Sequence, residues 1–207
     1  GEPAHNLDSV LEAIDLLGTA GAIGHKQIVF STVGDLRVFE RLPQGRVKPA
    51  LSLSLHSTRA ELRAQLLPRA PRIAPDELVA LGDAYARATG HPIQFQWTLL
   101  DGVNDGDDEI DGIVRLLAGK YAVMNLIPYN TVPGLAFDRP AAGRAFFEGL
   151  IRDHLDVGRP DQIALIFDRR VTRKTPGKFR TKVITHGVDP QLCCYYKSSR
   201  MKQYFKE

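Results

Sequence analysis

Apolar, strand-like runs in this chain stop abruptly at small polar clusters, and this arrangement restricts the possible folds more than any other feature. Runs at residues 28–30, 50–53 and 123–127 are followed by clusters at 31–34, 54–56 and 128–130. A fourth cluster, at residues 1–3, has no strand before it. Where parallel strands alternate with helices, the carboxyl ends of all strands lie on one face, which holds the active site. The clusters are therefore predicted to converge on one pocket, and an enzyme is the leading interpretation.

Hydrophobic periodicity between the clusters predicts helices that alternate with strands. Helices are expected at residues 8–17, 35–41, 59–66, 75–89 and 109–117, and strands at 27–30, 48–55, 93–100 and 121–127. Thr58 is expected to cap the helix at 59–66. This order implies right-handed crossovers between parallel strands. The predicted fold class is α/β, a partial parallel (β/α) barrel. Because the chain opens with Gly on a strand-end cluster, the barrel is expected to be truncated at its N-terminus.

The pattern changes near residues 138–140. A helix is predicted at 141–155, and strand-like runs at 163–167, 179–185 and 192–196 resemble an antiparallel meander. Residues 1–137 contain 12 Lys and Arg against 16 Asp and Glu, whereas residues 138–207 contain 15 against 8. Two segments are predicted: the barrel part at 1–137 and a basic α+β segment of unknown role at 138–207. Such a basic surface suits either a polyanion such as RNA or plain contact with solvent.

Composition narrows the class of protein. The 207 residues are 43% hydrophobic and 25% charged, as in ordinary globular proteins. No apolar run approaches the roughly 20 residues that a membrane span requires. The two cysteines, Cys193 and Cys194, are adjacent, which excludes a disulfide framework and predicts a reducing, cytoplasmic location. A monomer without membrane contact is expected.

The polar clusters carry a specific resemblance when they are taken together. They read Gly1-Glu2-Pro3, Ser31-Thr32-Val33-Gly34, Ser54-Leu55-His56 and Pro128-Tyr129-Asn130, with Leu100-Asp101-Gly102-Val103-Asn104-Asp105 between the last two. In this order and spacing, residues 1–137 resemble radical S-adenosylmethionine (SAM) enzymes. The resemblance is specifically to those that methylate C2 of an adenine in 23S ribosomal RNA and in transfer RNA. Residues after 137 do not share it.

The resemblance implies SAM as the cofactor and RNA as the partner. It places SAM binding at Gly1, Glu2, Ser31, Ser54, Leu55, His56 and Asn130. The residue chemistry agrees, because the Glu2 carboxylate suits the ammonium of SAM, and hydroxyl and amide groups suit its other polar edges. Ser54 and His56 are expected to point the same way along one strand, because side chains alternate.

Each of these residues also has a structural explanation. Glu2 could simply precede a helix, Ser31 could cap one, and His56 and Asn130 could serve a strand end and a turn. The binding interpretation is stronger for the clusters together than for any one of them, since chance matches rarely lie on one face in the order that the family shows. Three further features are interpreted as structural: packing for Trp97 and Tyr129, and a solvated loop for the acidic turn at 101–108.

The chain departs from the family in its cysteines. In the family, a CxxxCxxC motif before Gly-Glu-Pro binds a [4Fe–4S] cluster, and a cysteine near the C-terminus carries the methyl group. Thiolates ligate such clusters, and this chain has no cysteine before Cys193. As given, it cannot bind the cluster. Cys193 and Cys194 are interpreted as buried and inert, no catalytic or metal-binding residue is assigned, and the chain alone is expected to be inactive.

Two other functions stay open at this point. One is a non-catalytic RNA-binding chimera in which the basic residues 138–207 are the active part. The other is a relative that methylates C8 of a ribosomal RNA adenine and confers antibiotic resistance, since such enzymes share the SAM motifs. Methylation of C2 is favoured over methylation of C8 only because residues 1–137 as a whole resemble the C2-methylating enzymes.

Overall fold

A single sheet organises the computed structural model, which describes residues 1–129, 133–134, 136–137, 163–167 and 181–184. Its strands, in chain order, are β1 (Val29–Thr32), β2 (Ala50–Ser54), β3 (Ile93–Leu99), β4 (Ala122–Pro128), β5 (Ile163–Phe167) and β6 (Thr181–Ile184). Strands β1 to β5 are parallel, and β6 is antiparallel to β5. The carboxyl ends of β1 to β4 therefore lie along one edge, called the carboxyl edge below.

Helices lie between consecutive strands from β1 to β4, as the sequence predicts. The helices are α1 (Leu7–Gly18), α2 (Leu36–Arg41), α3 (Ala60–Leu66), α4 (Pro75–Thr89) and α5 (Asp107–Leu117), with 3₁₀ helices at Pro3–Asn6, His25–Gln27 and Leu42–Gln44. Local chemistry sets several of their ends. Asp35 caps α2 by accepting a hydrogen bond from the Arg37 amide, and Gly90 ends α4 in the left-handed conformation with φ 72°. The α/β class and the strand–helix alternation are confirmed.

Three local expectations differ from the structure. Strand β1 begins two residues later than predicted, so that Ser31 and Thr32 belong to the strand rather than to the turn after it. Thr58 does not cap α3, because its amide and hydroxyl both donate to the Glu109 carboxylate instead. Strand β5 is parallel to β4, so the run at 163–167 continues the parallel sheet, and only β6 has the antiparallel pairing expected of a meander.

Several predictions concern residues outside the described part of the chain. These are Asn130, the helix at 141–155, the strand at 192–196, Cys193 and Cys194, and the segment boundary near 138–140. They stay predictions.

The two faces of the sheet differ in chemistry. On β3, Ile93, Phe95, Trp97 and Leu99 are fully buried, whereas the alternating residues Gln94, Gln96 and Thr98 are half-buried. The buried face packs against the helices and contains most of the core. The opposite, half-buried face carries polar side chains, and it is called the polar face below. Trp97, with no exposed surface, is a core residue as predicted.

The close contact between α5 and the loop after β2 requires glycine at position 112. A Cβ atom on Gly112 of α5 would lie 2.1 Å from the Thr58 hydroxyl oxygen. No side chain fits at that distance, so Gly112 permits α5 to approach the loop after β2. This approach places the first turn of α5 beside the carboxyl edge.

Among the residues that the structure describes, no helix has the length and apolar character needed to cross a membrane.

Candidate functional site

The Glu2 carboxylate lies at the carboxyl edge beside the end of β1. It accepts hydrogen bonds from the Thr32 hydroxyl at 2.7 Å, the Val33 amide at 2.8 Å and the Ala4 amide at 3.2 Å. These three donors fix the orientation of the carboxylate. An ionised carboxylate offers about four acceptor positions, so Glu2 keeps capacity for one further donor. The first cluster and the β1 cluster are thus joined directly.

A buried arginine ties the end of β1 to the end of β2. Nη2 of Arg63 donates to the carbonyl oxygens of Val33 and Ser54, the second at 3.2 Å. The residue is 3% exposed, and among the described residues it has no acidic partner within 4 Å. Burial lowers the pKa of Arg63. The carboxyl edge therefore contains one desolvated cation that fixes the spacing of two strand ends.

Asn104 joins the ends of β2 and β3 from the turn that follows β3. Its Oδ1 accepts from the Leu100 amide at 2.8 Å, and its Nδ2 donates to the carbonyl oxygens of His56 at 2.7 Å and Thr98 at 2.8 Å. The side chain is completely buried. Three of the four hydrogen-bonding positions of this amide are used, and each of them binds a backbone group at the carboxyl edge.

Glu109, in the first turn of α5, binds the loop that follows β2. Its carboxylate accepts from the hydroxyls of Ser57 and Thr58, from the Thr58 amide at 2.8 Å and from Nε of Arg59 at 3.2 Å. The side chain is completely buried. A buried carboxylate is tolerated because its oxygens are hydrogen-bonded and one partner is charged. Glu109 thereby fixes the loop that connects β2 to α3.

His56 is held in an unusual conformation at the end of β2. Its φ is 59°, in the left-handed region that non-glycine residues rarely occupy. Nδ1 of the imidazole accepts a hydrogen bond from the Thr98 amide at 2.9 Å. The left-handed turn interrupts the alternation of side chains after Ser54, so His56 does not continue the strand as expected. Backbone strain of this kind persists only where surrounding contacts over-determine it.

The contacts of His56 require a neutral imidazole. Burial, assisted by the charge of Arg63, lowers the pKa of His56 to about 4. In the unfolded chain the same group titrates near pH 6.5, so between about pH 6.5 and 4 the unfolded state binds more protons. The stability contributed by His56 is complete above the unfolded pKa and is lost as the pH falls through this window.

We expect acidification from pH 7 to pH 4 to lower the free energy of unfolding by about 3 kcal/mol through His56 alone. His56→Asn is the matched variant, because Asn tolerates the left-handed region and its Oδ1 can accept from Thr98. Urea titrations of both proteins between pH 4 and 7 should show a steeper loss for the wild type. Parallel pH profiles would contradict the role given to His56.

The polar face carries a hydrogen-bond ladder across three strands. Nδ2 of Asn125 on β4 donates to Oε1 of Gln96 on β3 at 2.6 Å, and Nε2 of Gln96 donates to Oγ of Ser52 on β2 at 2.8 Å. Ser54, Gln96 and Asn125 are in register with one another on neighbouring strands. The three side chains joined by these hydrogen bonds, those of Ser52, Gln96 and Asn125, are together called the amide ladder below. Oδ1 of Asn125 is buried and has no hydrogen-bond partner among the described residues.

The structure brings most of the predicted binding residues to the carboxyl edge. Glu2 and His56 have the contacts given above, and Gly1 is an exposed neighbour of Glu2. Ser31 is exposed on the polar face, where it is in register with Ser52, and Ser54 is half-buried on the same face. Leu55 is fully buried in the core, so only its backbone lies at the edge. Tyr129 contacts the ring of Phe137 edge-on, with centroids 6.3 Å apart.

A separate cavity lies away from this edge. It has a volume of about 250 Å³ and is lined by residues of α1 and of the segment 41–47, which precedes β2. Because it lies toward the amino end of the strands, it has no part in the candidate site. In the described part of the chain, no group of three His, Cys, Asp or Glu side chains could hold a metal ion, including the acidic turn at 101–108.

No protein-family model matches the chain. A probable RNA methyltransferase of Methylibium petroleiphilum is 82% identical over 145 residues, which are 70% of this chain and 41% of that protein. A radical SAM methyltransferase from Sphaerobacter thermophilus superimposes with a TM-score of 0.70 at 30% identity, covering 82% of this chain and 49% of that one. Over its matched part, the chain is thus similar to RNA methyltransferases and to a radical SAM methyltransferase. The chain spans about two-fifths of the length of the curated relatives that it matches.

The fold is also shared with more distant proteins. SuiB from Streptococcus suis, solved with S-adenosylmethionine bound, superimposes with a TM-score of 0.56 at 16% identity, covering 80% of this chain and 37% of SuiB. At this identity the similarity concerns the fold alone. The predicted resemblance to radical SAM RNA methyltransferases is confirmed by the nearer relatives.

Sequence reasoning missed the residues that hold the site together: Arg63, Gln96, Asn104, Glu109 and Asn125. Three of them had a usable signal. Asn104 lies in the Leu-Asp-Gly-Val-Asn-Asp stretch that carries the family resemblance, and Gln96 and Asn125 interrupt apolar strands at alternating positions. Arg63 and Glu109 look like ordinary surface residues of amphipathic helices, and only the packing of those helices shows that they are buried.

Proposed function

We propose that this chain supplies the SAM-binding part of a radical SAM RNA methyltransferase. The observation that carries the proposal is the grouping of Glu2, Ser31 and Ser54 at one sheet edge, above a polar face that contains a buried acceptor with no partner among the described residues. Relatives named as probable RNA methyltransferases and a radical SAM methyltransferase of the same fold support it. When SAM is bound to an intact enzyme of this class, it supplies the radical and the methyl group.

The residues present fit SAM in three respects. The oriented Glu2 carboxylate keeps an acceptor position for an ammonium. The hydroxyls of Ser31 and Ser54 face the same side of the sheet and are available to a polar ligand. His56, being neutral and committed to Thr98, positions the loop after β2 rather than exchanging protons. Asn130, in the family pattern, is proposed to contribute its amide.

The residues present do not fit a [4Fe–4S] cluster. Thiolates are the usual ligands, and this chain contains two cysteines, which are adjacent in sequence. No catalytic step is therefore assigned to this chain alone. Anaerobic reconstitution with iron and sulfide is expected to leave no visible charge-transfer absorbance. A chain that retained about four irons per molecule and a reducible cluster would contradict this prediction.

The target is proposed to be C2 of an adenine in 23S ribosomal RNA, and also in transfer RNA, in the cytoplasm. The overall resemblance of residues 1–137 supports C2, and the excess of basic residues in 138–207 suits a polyanion. Mass spectrometry of nucleosides from RNA treated with a full-length relative separates the two regiochemistries. 2-Methyladenosine is the expected product, and 8-methyladenosine would replace the C2 proposal by the C8 alternative.

SAM binding tests the proposed function directly. In Ser54→Ala, we expect the affinity of the chain for radiolabelled SAM, measured by equilibrium dialysis, to fall roughly 3- to 10-fold, because one hydroxyl contact is lost. The fold should be unaffected, since no described hydrogen bond depends on this hydroxyl. Ser9→Ala on the exposed surface of α1 is the matched control and should bind as the wild type does. Equal affinities for all three proteins, or no binding by any, would contradict the proposal.

A further inference from the structure

The amide ladder ends in an atom whose hydrogen-bonding capacity is unused. Nδ2 of Asn125 donates a hydrogen bond to Gln96, and Nε2 of Gln96 donates one to Ser52. The other end of the Asn125 amide, Oδ1, is buried and has no donor among the described residues. Buried acceptors are satisfied in the great majority of cases, and leaving one unpaired is costly. A ligand that brings a donor to this position would remove that cost.

The position of this acceptor is fixed relative to the site proposed for SAM. Asn125 is in register with Gln96, and Gln96 with Ser54, so the three side chains share the polar face at one level of the sheet. Neighbouring strands lie about 4.8 Å apart, which separates Ser54 and Asn125 by roughly 10 Å. A ligand of nucleoside size that contacts Ser54 can therefore reach Asn125.

The ladder itself carries no charge. Its members are two amides and one hydroxyl, which suit the edge of a neutral heterocycle rather than a carboxylate or a phosphate. Amide side chains recognise adenine through its exocyclic amine and a neighbouring ring nitrogen. Because the Nδ2 group of Asn125 is already used, only its acceptor remains, and an acceptor favours an amine over a carbonyl at the same position of a purine.

We infer that Oδ1 of Asn125 accepts a hydrogen bond from the exocyclic amino group of an adenine, with Gln96 and Ser52 holding the amide in that orientation. This assignment rests on the function proposed above and adds the residue that recognises the base. An adenine occurs both in SAM and in the proposed RNA target. The two sources share the same amine, so the test contains one arm for each.

The test compares purines that differ only in this amine. One arm measures binding of S-adenosylhomocysteine and S-inosylhomocysteine by calorimetry, and the other uses short RNA oligonucleotides that contain a single adenosine or inosine. In one of the arms, the wild-type chain should prefer the adenine probe roughly tenfold. The arm that shows the preference identifies the source of the adenine.

Two variants of one position make the test specific. Asn125→Leu removes the acceptor, and the preference for adenine should disappear. Asn125→Asp keeps an acceptor, because the Gln96 amide can turn and donate to the second carboxylate oxygen, and the preference should survive. Thermal unfolding of both variants checks that the sheet is intact, and a loss of adenine preference in the folded Asp variant as well would contradict the assignment.

The remaining outcomes separate this inference from the proposed function. Ser54-dependent SAM binding, combined with equal affinities for adenine and inosine probes in both arms, overturns the inference alone. A preference for inosine also overturns it, since it shows the ladder reversed with an N–H group facing the ligand. Absence of binding by SAM and by every probe overturns the proposed function and the inference together.

Discussion

Replacing Glu109 by Ala is expected to lower the free energy of unfolding by about 4 kcal/mol, the range found when one member of a buried charged network is removed. The variant leaves the hydroxyls of Ser57 and Thr58 and the Thr58 amide without their acceptor, and Arg59 loses a partner. It also opens a void where the side chain was completely buried. Urea-induced unfolding followed by circular dichroism measures the change.

Asp108 provides a control on the same helix turn. Its side chain is 58% exposed, and it forms an ion pair with Nη1 of Arg59 at 3.2 Å. Asp108→Ala removes the same kind of charge from the same end of α5 and should cost less than about 1 kcal/mol. If the two alanine variants were equally stable, the Glu109 carboxylate would not be the anchor of the loop after β2.

Exchanging Asn104 for Asp is expected to cost about 3 kcal/mol at pH 7, although the two side chains have almost the same shape. The amide donates to the carbonyl oxygens of His56 and Thr98, whereas a carboxylate would face both with like partial charge and would itself be buried. Because the change is nearly isosteric, the cost comes from hydrogen-bond polarity and charge rather than from packing.

Asp101→Asn makes the opposite exchange in the same turn. Asp101 is exposed, so this variant should change the stability by less than about 0.5 kcal/mol. The destabilisation of Asn104→Asp should shrink at acidic pH, where the protonated carboxyl can again donate to one carbonyl. A pH-independent loss in Asn104→Asp would point to steric disturbance instead.

Both anchors bear on the proposed binding site. Glu109 holds residues 57–59, Asn104 holds His56, and Arg63 holds the Ser54 carbonyl. The loop that follows β2 is thus fixed from three helices or turns. Ligand-binding groups need such support, because a pocket is precise only when the residues around it have a single arrangement.

The general architecture could be predicted from the sequence because it depends on local patterns. Helix α4 begins at Pro75 and ends before Gly90 as predicted, since proline and glycine mark helix ends by their own backbone preferences. The burial of every second residue on β3 follows from the two-residue period of a strand. The prediction was less accurate where a side chain can bind either a nearby or a distant partner. Thr58, for example, binds Glu109 instead of capping α3.

The amino-acid sequence alone determined the α/β class, the family resemblance and the placement of polar clusters at strand ends. These features depend on periodicity and on the order of short motifs. Only the tertiary structure decided that His56 is neutral and left-handed and that Arg63 and Glu109 are buried. It also decided that Asn125 has an acceptor without a partner in the described part of the chain. The physical reason is that burial, hydrogen-bond partners and charge environment arise from residues far apart in the sequence, such as Thr32 with Glu2, 30 positions apart, and Thr58 with Glu109, 51 positions apart. No local pattern encodes those encounters.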